Sequence, residues 1–263
     1  MENSIIYNQE EISYSVSGKG PVVVWLHGFM EDKSIWFNQT TLFDNSYTNV
    51  CVDLLGHGST SCVTDEELTI NSYADAVIFV LDFLKIEDFS IVGHSMGGYI
   101  ALFILEKRQK KINHFVLLNS TSKADTILKK ENRDRALKII EKQKDNYCRM
   151  GVVNLFSKES REIFKEEIEQ LIIVAKSTPL KGVQQALLAM KNRVSKIDVL
   201  RSYSGKKMIA SGINDPVLRV DEIKKESKEV GAYFVTFAGG HMSYLESFGE
   251  LNSRLSDLFE GLN

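Results

Sequence analysis

The sequence predicts an α/β fold: a mostly parallel sheet of eight strands flanked by helices, interrupted once by an inserted helical segment. Three observations carry this expectation. Short β-rich runs alternate with stretches of helical period along most of the 263 residues. One of these runs, "PVVVWL" at 21–26, is continuously apolar, as a strand buried on both faces must be. From about 123 to 201 the alternation stops, and only amphipathic helix and charge remain.

The elements follow in order. Residues 5–8 and 11–16 read as a leading pair of strands, broken at Asn8-Gln9 and closed by "SGKG". Runs at 21–26, 50–54, 89–93, 115–119, 207–211 and 233–237 complete the eight. Between the fourth and fifth, Ile70, Tyr73, Ala74, Val77, Ile78, Leu81 and Leu84 share one helical face. Phe248, Leu251, Leu255, Leu258 and Leu262 repeat that pattern near the C-terminus. The organisation expected is a core of 1–122 and 202–263 carrying an insertion at 123–201. In the insertion, "STPLKGVQQALLAMKNR" offers Thr178 as an N-cap and Pro179 as a first helical residue. Its place, just after a strand whose neighbours bear the motifs below, favours a lid over a solvated helical decoration. Met150, Phe156, Leu171 and Leu188 are candidates to shape the pocket beneath it. Residues 123–149 hold nine Lys/Arg against five Asp/Glu, which reads as a solvated basic helix face, with a preference for acidic substrates as the alternative.

Composition narrows the function classes. Hydrophobic residues make up 43% and charged residues 25%, with a net charge of −3, so no basic field invites nucleic acid. No 18-residue apolar run could span a bilayer, and the acidic N-terminal stretch lacks the apolar core of a secretory leader. Cys51, Cys62 and Cys148 show no C-x-x-C spacing and read as reduced structural thiols, with Cys51 in the core. A cytoplasmic protein is the expectation, with no nucleic-acid or membrane partner.

"SIVGHSMGGYIAL" holds the chemistry. A strand arrives at Val92, a helix leaves near Met96, and Gly93-His94-Ser95-Met96-Gly97 fills the junction. So short a turn forces its central residue into strained geometry, and glycines two positions away on each side remove Cβ atoms that would collide. The Ser95 hydroxyl is then presented beyond the sheet edge, backed by the free N–H groups of a helix N-terminus. This is the G-x-S-x-G nucleophile elbow.

A serine needs a base, and the base needs an orienting acid. Of five histidines, His241 in "FAGGHMSYLES" follows a strand and two glycines, where a loop can carry it over the sheet edge. His94 lies in the elbow but points away if Ser95 points to the site, and His114 sits at a strand start beside charged residues. Asp215, in "GINDPVL", lies just past the seventh strand and gives the order Ser95, Asp215, His241. Asn119 ends the sixth strand, but an amide cannot stabilise an imidazolium as a carboxylate does.

With these motifs in place, the chain resembles the α/β-hydrolase superfamily, in its serine-nucleophile, esterase-like branch, over nearly its whole length. The fourth motif is "WLHGF" after the strand at 21–26. The resemblance implies an oxyanion hole formed by the backbone N–H groups of Phe29 and Met96, with His27 bracing the loop. "DLLGHGST" resembles the family's D-x-x-G-x-G-x-S turn, which shapes the rim, so Asp53 and His57 are set aside and no metal site is expected from them with His27. Leu55 and Phe248-Gly249 stand where the family often has proline, away from the chemistry. The serine excludes the aspartate-nucleophile dehalogenase and epoxide hydrolase branches. The function implied is cleavage of an ester or related acyl bond of a small-molecule acyl substrate, without a cofactor. Two alternatives use the same three residues: a C–C bond hydrolase, or the menaquinone-pathway lyase that eliminates pyruvate, which carries an arginine where Tyr99 stands here. A small-ligand receptor built on the hydrolase fold is the alternative of another class.

Overall fold

The computed structural model describes residues 2–63 and 67–261. Eight strands form one sheet: β1 Glu2–Tyr7, β2 Glu10–Gly18, β3 Val22–Leu26, β4 Thr48–Val52, β5 Phe89–His94, β6 Ile112–Leu118, β7 Lys206–Gly212 and β8 Tyr233–Phe237. Their spatial order is β1-β2-β4-β3-β5-β6-β7-β8. The β1–β2 and β2–β4 pairs are antiparallel and the rest parallel. The parallel part is covered on both faces, so β3 and β5 are buried almost throughout. Each expected strand is present, with ends shifted by a few residues. Leu262, the last residue of the expected C-terminal face, lies outside the described residues.

The helix Met96–Arg108 runs back under β5, β3 and β6. Residues 96–105 are all buried, so this helix is apolar on every side, as a central helix must be. The helix Ile70–Phe83 packs beside it and opens with a capping box, in which the Thr69 and Ser72 side chains each take the other's backbone N–H.

Among the described residues no strand lies between β6 and β7. The helices Ile127–Leu155, Lys165–Ser177, Leu180–Asn192 and Ile197–Ser202 fill that span, the first kinked at Gln143. The two ends of the insertion meet: Lys196 N–H donates to Ser122 C=O at 2.7 Å. Glu226, buried on the helix Val220–Val230, accepts from Thr121 Oγ1, Ser122 N and Ser122 Oγ at 2.5–2.7 Å and fixes the near end to the core. The far side docks backbone to backbone. A Cβ on Gly182 would lie 2.2 Å from Gly56 O, so Gly182 is what lets the helix Leu180–Asn192 approach the rim at "DLLGHGST". Thr178 departs from its expected place as an N-cap: its hydroxyl donates back to Val174 C=O and closes the preceding helix, leaving Pro179 at the N-cap position.

Candidate active site

Ser95 is the single residue between β5 and the helix Met96–Arg108. Its backbone sits at φ 50°, ψ −113°, a left-handed conformation that costs a serine about 1–3 kcal/mol. Neighbours hold it there. Ser95 N–H donates to Leu118 C=O at 2.9 Å, and Ser95 C=O accepts from Ser120 Oγ at 2.8 Å and Gly98 N–H at 3.0 Å. The flanking glycines answer to close contact: a Cβ on Gly93 would meet Gly97 O at 2.5 Å, and one on Gly97 would meet Leu26 O at 2.4 Å.

The loops after β7 and β8 bring the other two residues to the same edge. His241 Nε2 lies 2.9 Å from Ser95 Oγ, and His241 Nδ1 lies 2.7 Å from Asp215 Oδ2. The carboxylate can only accept, so Nδ1 carries the proton and Nε2 accepts from the serine hydroxyl. Every partner of Asp215 is a donor: Asn119 Nδ2 and His241 Nδ1 on one oxygen, Val217 N–H and Leu218 N–H on the other. Burial raises the Asp215 carboxyl, but His241 and these donors outweigh it and hold the group below its ordinary value. Phe29 and Met96, the two expected backbone donors, flank the same edge. Among the described residues neither N–H has an acceptor. Met96 is the first residue of its helix, where an N–H has no intrahelical partner.

His241 is also clamped through its backbone. Its N–H donates to Leu155 C=O, at the end of the first insertion helix, at 2.8 Å. Its C=O accepts from His94 Nε2 at 3.0 Å. His94 Nδ1 is in turn 2.9 Å from Glu31 Oε2, and both side chains are buried. Both imidazole nitrogens of His94 therefore face acceptors, which requires the doubly protonated ring. Burial lowers the His94 pKa, yet Glu31 more than reverses this and raises it. Burial raises Glu31, and His94 more than reverses that. Glu31 Oε2 also accepts Gly28 N–H at 2.5 Å and its Oε1 accepts Tyr244 OH at 3.0 Å. This ion pair ties the loop of Gly28 and Phe29 to the loop of His241, and sequence reasoning missed it. The one available signal was that His94, adjacent to Ser95, had to point somewhere.

Glu31→Gln is expected to destabilise the chain by about 3 kcal/mol near neutral pH, because it strips the counter-charge from a buried imidazolium. His94, raised from 6.5, stabilises fully below that value and loses its contribution as pH climbs through the folded pKa. Glu31, lowered from 4.5, stabilises above that value and loses its contribution as pH falls through the folded pKa. Urea unfolding at stepped pH should show the gap between parent and variant widest between these limits and narrowing beyond either.

The residues set aside are held by structural contacts. His27 Nδ1 donates to Gly28 C=O at 2.8 Å and its Nε2 accepts Leu54 N–H at 3.0 Å, bracing one loop against the other. His57 is buried, which pushes its pKa down to about 4. Asp53 is taken by Lys33 Nζ at 2.7 Å, Lys33 N at 2.8 Å and Ser59 N at 3.0 Å. Among the described residues no group of three or more His, Cys, Asp or Glu could hold a metal. No described helix is long and apolar enough to cross a membrane.

A cavity of about 180 Å³ opens over Ser95 and His241, lined by Phe29, Met30, Tyr99, Tyr147, Leu155 and Met190, with Arg133 at its wall. None of the four insertion side chains suggested by sequence lines it. Tyr147, Gly151 and Leu155 face it at four-residue spacing, which turns Met150 to solvent at 65% exposure. Phe156 and Leu171 are buried, and Leu188 lines a separate surface groove.

A family model described as alpha/beta hydrolase fold matches residues 21–148. A thermophilic esterase from Thermogutta terrifontis, solved with malate bound, matches with a TM-score of 0.92 over 99% of this chain and 98% of its own, at 21% identity. The enol-lactonase from Burkholderia xenovorans matches at 0.90 over 98% of this chain and 100% of its own, at 18% identity. An uncharacterised protein of Mycobacterium tuberculosis is 27% identical over 108 residues, 41% of this chain but only 31% of that protein. The chain thus spans about a third of the length of that curated relative. Sheet order, elbow and family model together give the chain the α/β-hydrolase fold.

Proposed function

We propose that the chain is a serine hydrolase cleaving a carboxylic ester or related acyl bond of a small molecule through an acyl-enzyme. The observation that carries this reading is the continuous chain Ser95 Oγ, His241 Nε2, His241 Nδ1, Asp215 Oδ2 at 2.9 and 2.7 Å. Ser95 Oγ attacks the carbonyl carbon as His241 Nε2 takes its proton, and Asp215 stabilises the imidazolium formed. The free N–H groups of Phe29 and Met96 hold the developing oxyanion, each worth about 3 kcal/mol to the barrier. The alcohol leaves with the proton from His241, and water, deprotonated by the same ring, cleaves the acyl-enzyme. The insertion serves as a cap over this chamber. A cavity of about 180 Å³ falls below the roughly 300–1,000 Å³ usual for larger ligands and favours short acyl groups. Two structural neighbours named an esterase and an enol-lactonase lend support at the level of fold.

A fluorophosphonate probe tests the reading. Ser95 should be the labelled residue by peptide mass spectrometry, and p-nitrophenyl acetate and butyrate should be turned over. Absence of both label and turnover overturns it.

A further inference from the structure

The insertion places two guanidinium groups on one carboxylate beside the chamber. Asp125 is buried, accepting Arg133 Nε on one oxygen at 2.5 Å and Arg193 Nη1 on the other at 2.6 Å. One negative charge thus faces two positive ones. Arg193 is closed off: its side chain is 2% exposed, its guanidinium lies over the Tyr99 ring at 3.9 Å, and Nη1 also donates to Met190 C=O at 2.8 Å. Arg133 is different, being 18% exposed and part of the cavity wall shared with Ser95 and His241. Among the described residues its terminal nitrogens have no acceptor. The remaining charged side chains at the wall are matched, Glu31 by His94, and His241 is paired to Asp215. The chamber therefore carries one cation whose charge is only half answered, and whose two free nitrogens form a planar fork.

We propose that Arg133 is an anion-binding, specificity-determining residue that selects acyl substrates bearing a carboxylate a short distance from the scissile bond. The inference rests on the hydrolase reading for the reaction but not for the binding. A guanidinium is costly to enclose unless an anion pairs with it, and a carboxylate meets the fork through two parallel hydrogen bonds. A chamber of about 180 Å³ holds a short dicarboxylic monoester or an acylated short hydroxy acid. The carboxylate can belong to the acyl part or the alcohol part, and the two are separated by the probes.

Calorimetry on Ser95→Ala compares monomethyl succinate with dimethyl succinate, and O-acetylglycolate with its methyl ester. At least one anion should bind about tenfold or more tighter than its neutral partner, the usual worth of a charged hydrogen-bond pair. Arg133→Gln in the same background should erase that preference, and thermal melting checks that it folds. If it does not fold, Arg133→Lys is decisive, because loss of the planar fork should cut the preference several-fold. No anion preference in Ser95→Ala, or a preference that survives these substitutions, overturns the inference. The parent enzyme is assayed alongside with p-nitrophenyl butyrate. Turnover without anion preference sinks this inference alone, whereas anion binding without turnover or fluorophosphonate labelling sinks the hydrolase reading and leaves the subsite standing.

Discussion

Ser95→Ala should lower kcat for p-nitrophenyl butyrate on the order of 10⁶-fold while changing stability by no more than about 1 kcal/mol. On the proposed mechanism the hydroxyl supplies both the atom that bonds to the carbonyl and the proton that His241 receives, and alanine supplies neither. Structurally little is lost. In the resting chain the Ser95 hydroxyl is bonded to His241 Nε2, while the strained backbone is held by Leu118, Ser120 and Gly98 through main-chain atoms that alanine keeps. The residual rate should exceed the uncatalysed one, because the proposed oxyanion donors, the Phe29 and Met96 amides, remain in place. Turnover within about tenfold of the parent would remove Ser95 from the chemistry.

Asp215→Asn should reduce kcat on the order of 10⁴-fold. Its four partners are all donors, two on each oxygen, so an amide must aim its own NH₂ at two of them. Turned toward Val217 and Leu218, the NH₂ leaves two backbone N–H groups without an acceptor. Turned toward Asn119 and His241, it makes His241 Nδ1 an acceptor and moves the ring proton to Nε2, where it cannot take the proton of Ser95. Either way the imidazolium formed during attack loses its counter-charge. The carboxylate also contributes stability above its ordinary value of 3.8 that fades as pH falls through its lowered folded pKa, so acid melts of the variant should be flatter there. Steady-state kinetics with acid unfolding curves check both statements. A loss of less than about tenfold in kcat would assign the orienting role elsewhere.

Much of this architecture is legible in the residue order, for identifiable reasons. Strands buried on both faces read as unbroken apolar runs, and β3 and β5 are of that kind. Ser95, Asp215 and His241 each follow a strand that ends at one edge of the sheet, so their meeting follows from topology once the elbow is found. Less local features are hidden. Glu31 reads as an ordinary loop acid in "HGFMED", and nothing near it announces that His94, on another strand, will take its charge. Arg133 belongs to a run of alternating charge that looks uniformly solvated, and only packing shows one member turned inward. Met150 fails as a pocket residue because helical phase within the insertion is set by neighbours that periodicity alone cannot supply. Thr178 carries cap chemistry, yet its hydroxyl serves the helix before it.

The contact between Lys196 and Ser122 has an evolutionary corollary. A segment whose two roots touch can be swapped for one of different length or composition without shifting any strand in register. Ligand preference can therefore diverge there while the reacting groups, rooted in the sheet, stay where they are. One condition travels with every such graft: the incoming piece must offer an oxygen in the place of Leu155 C=O, or the imidazole at 241 loses half of its backbone anchorage.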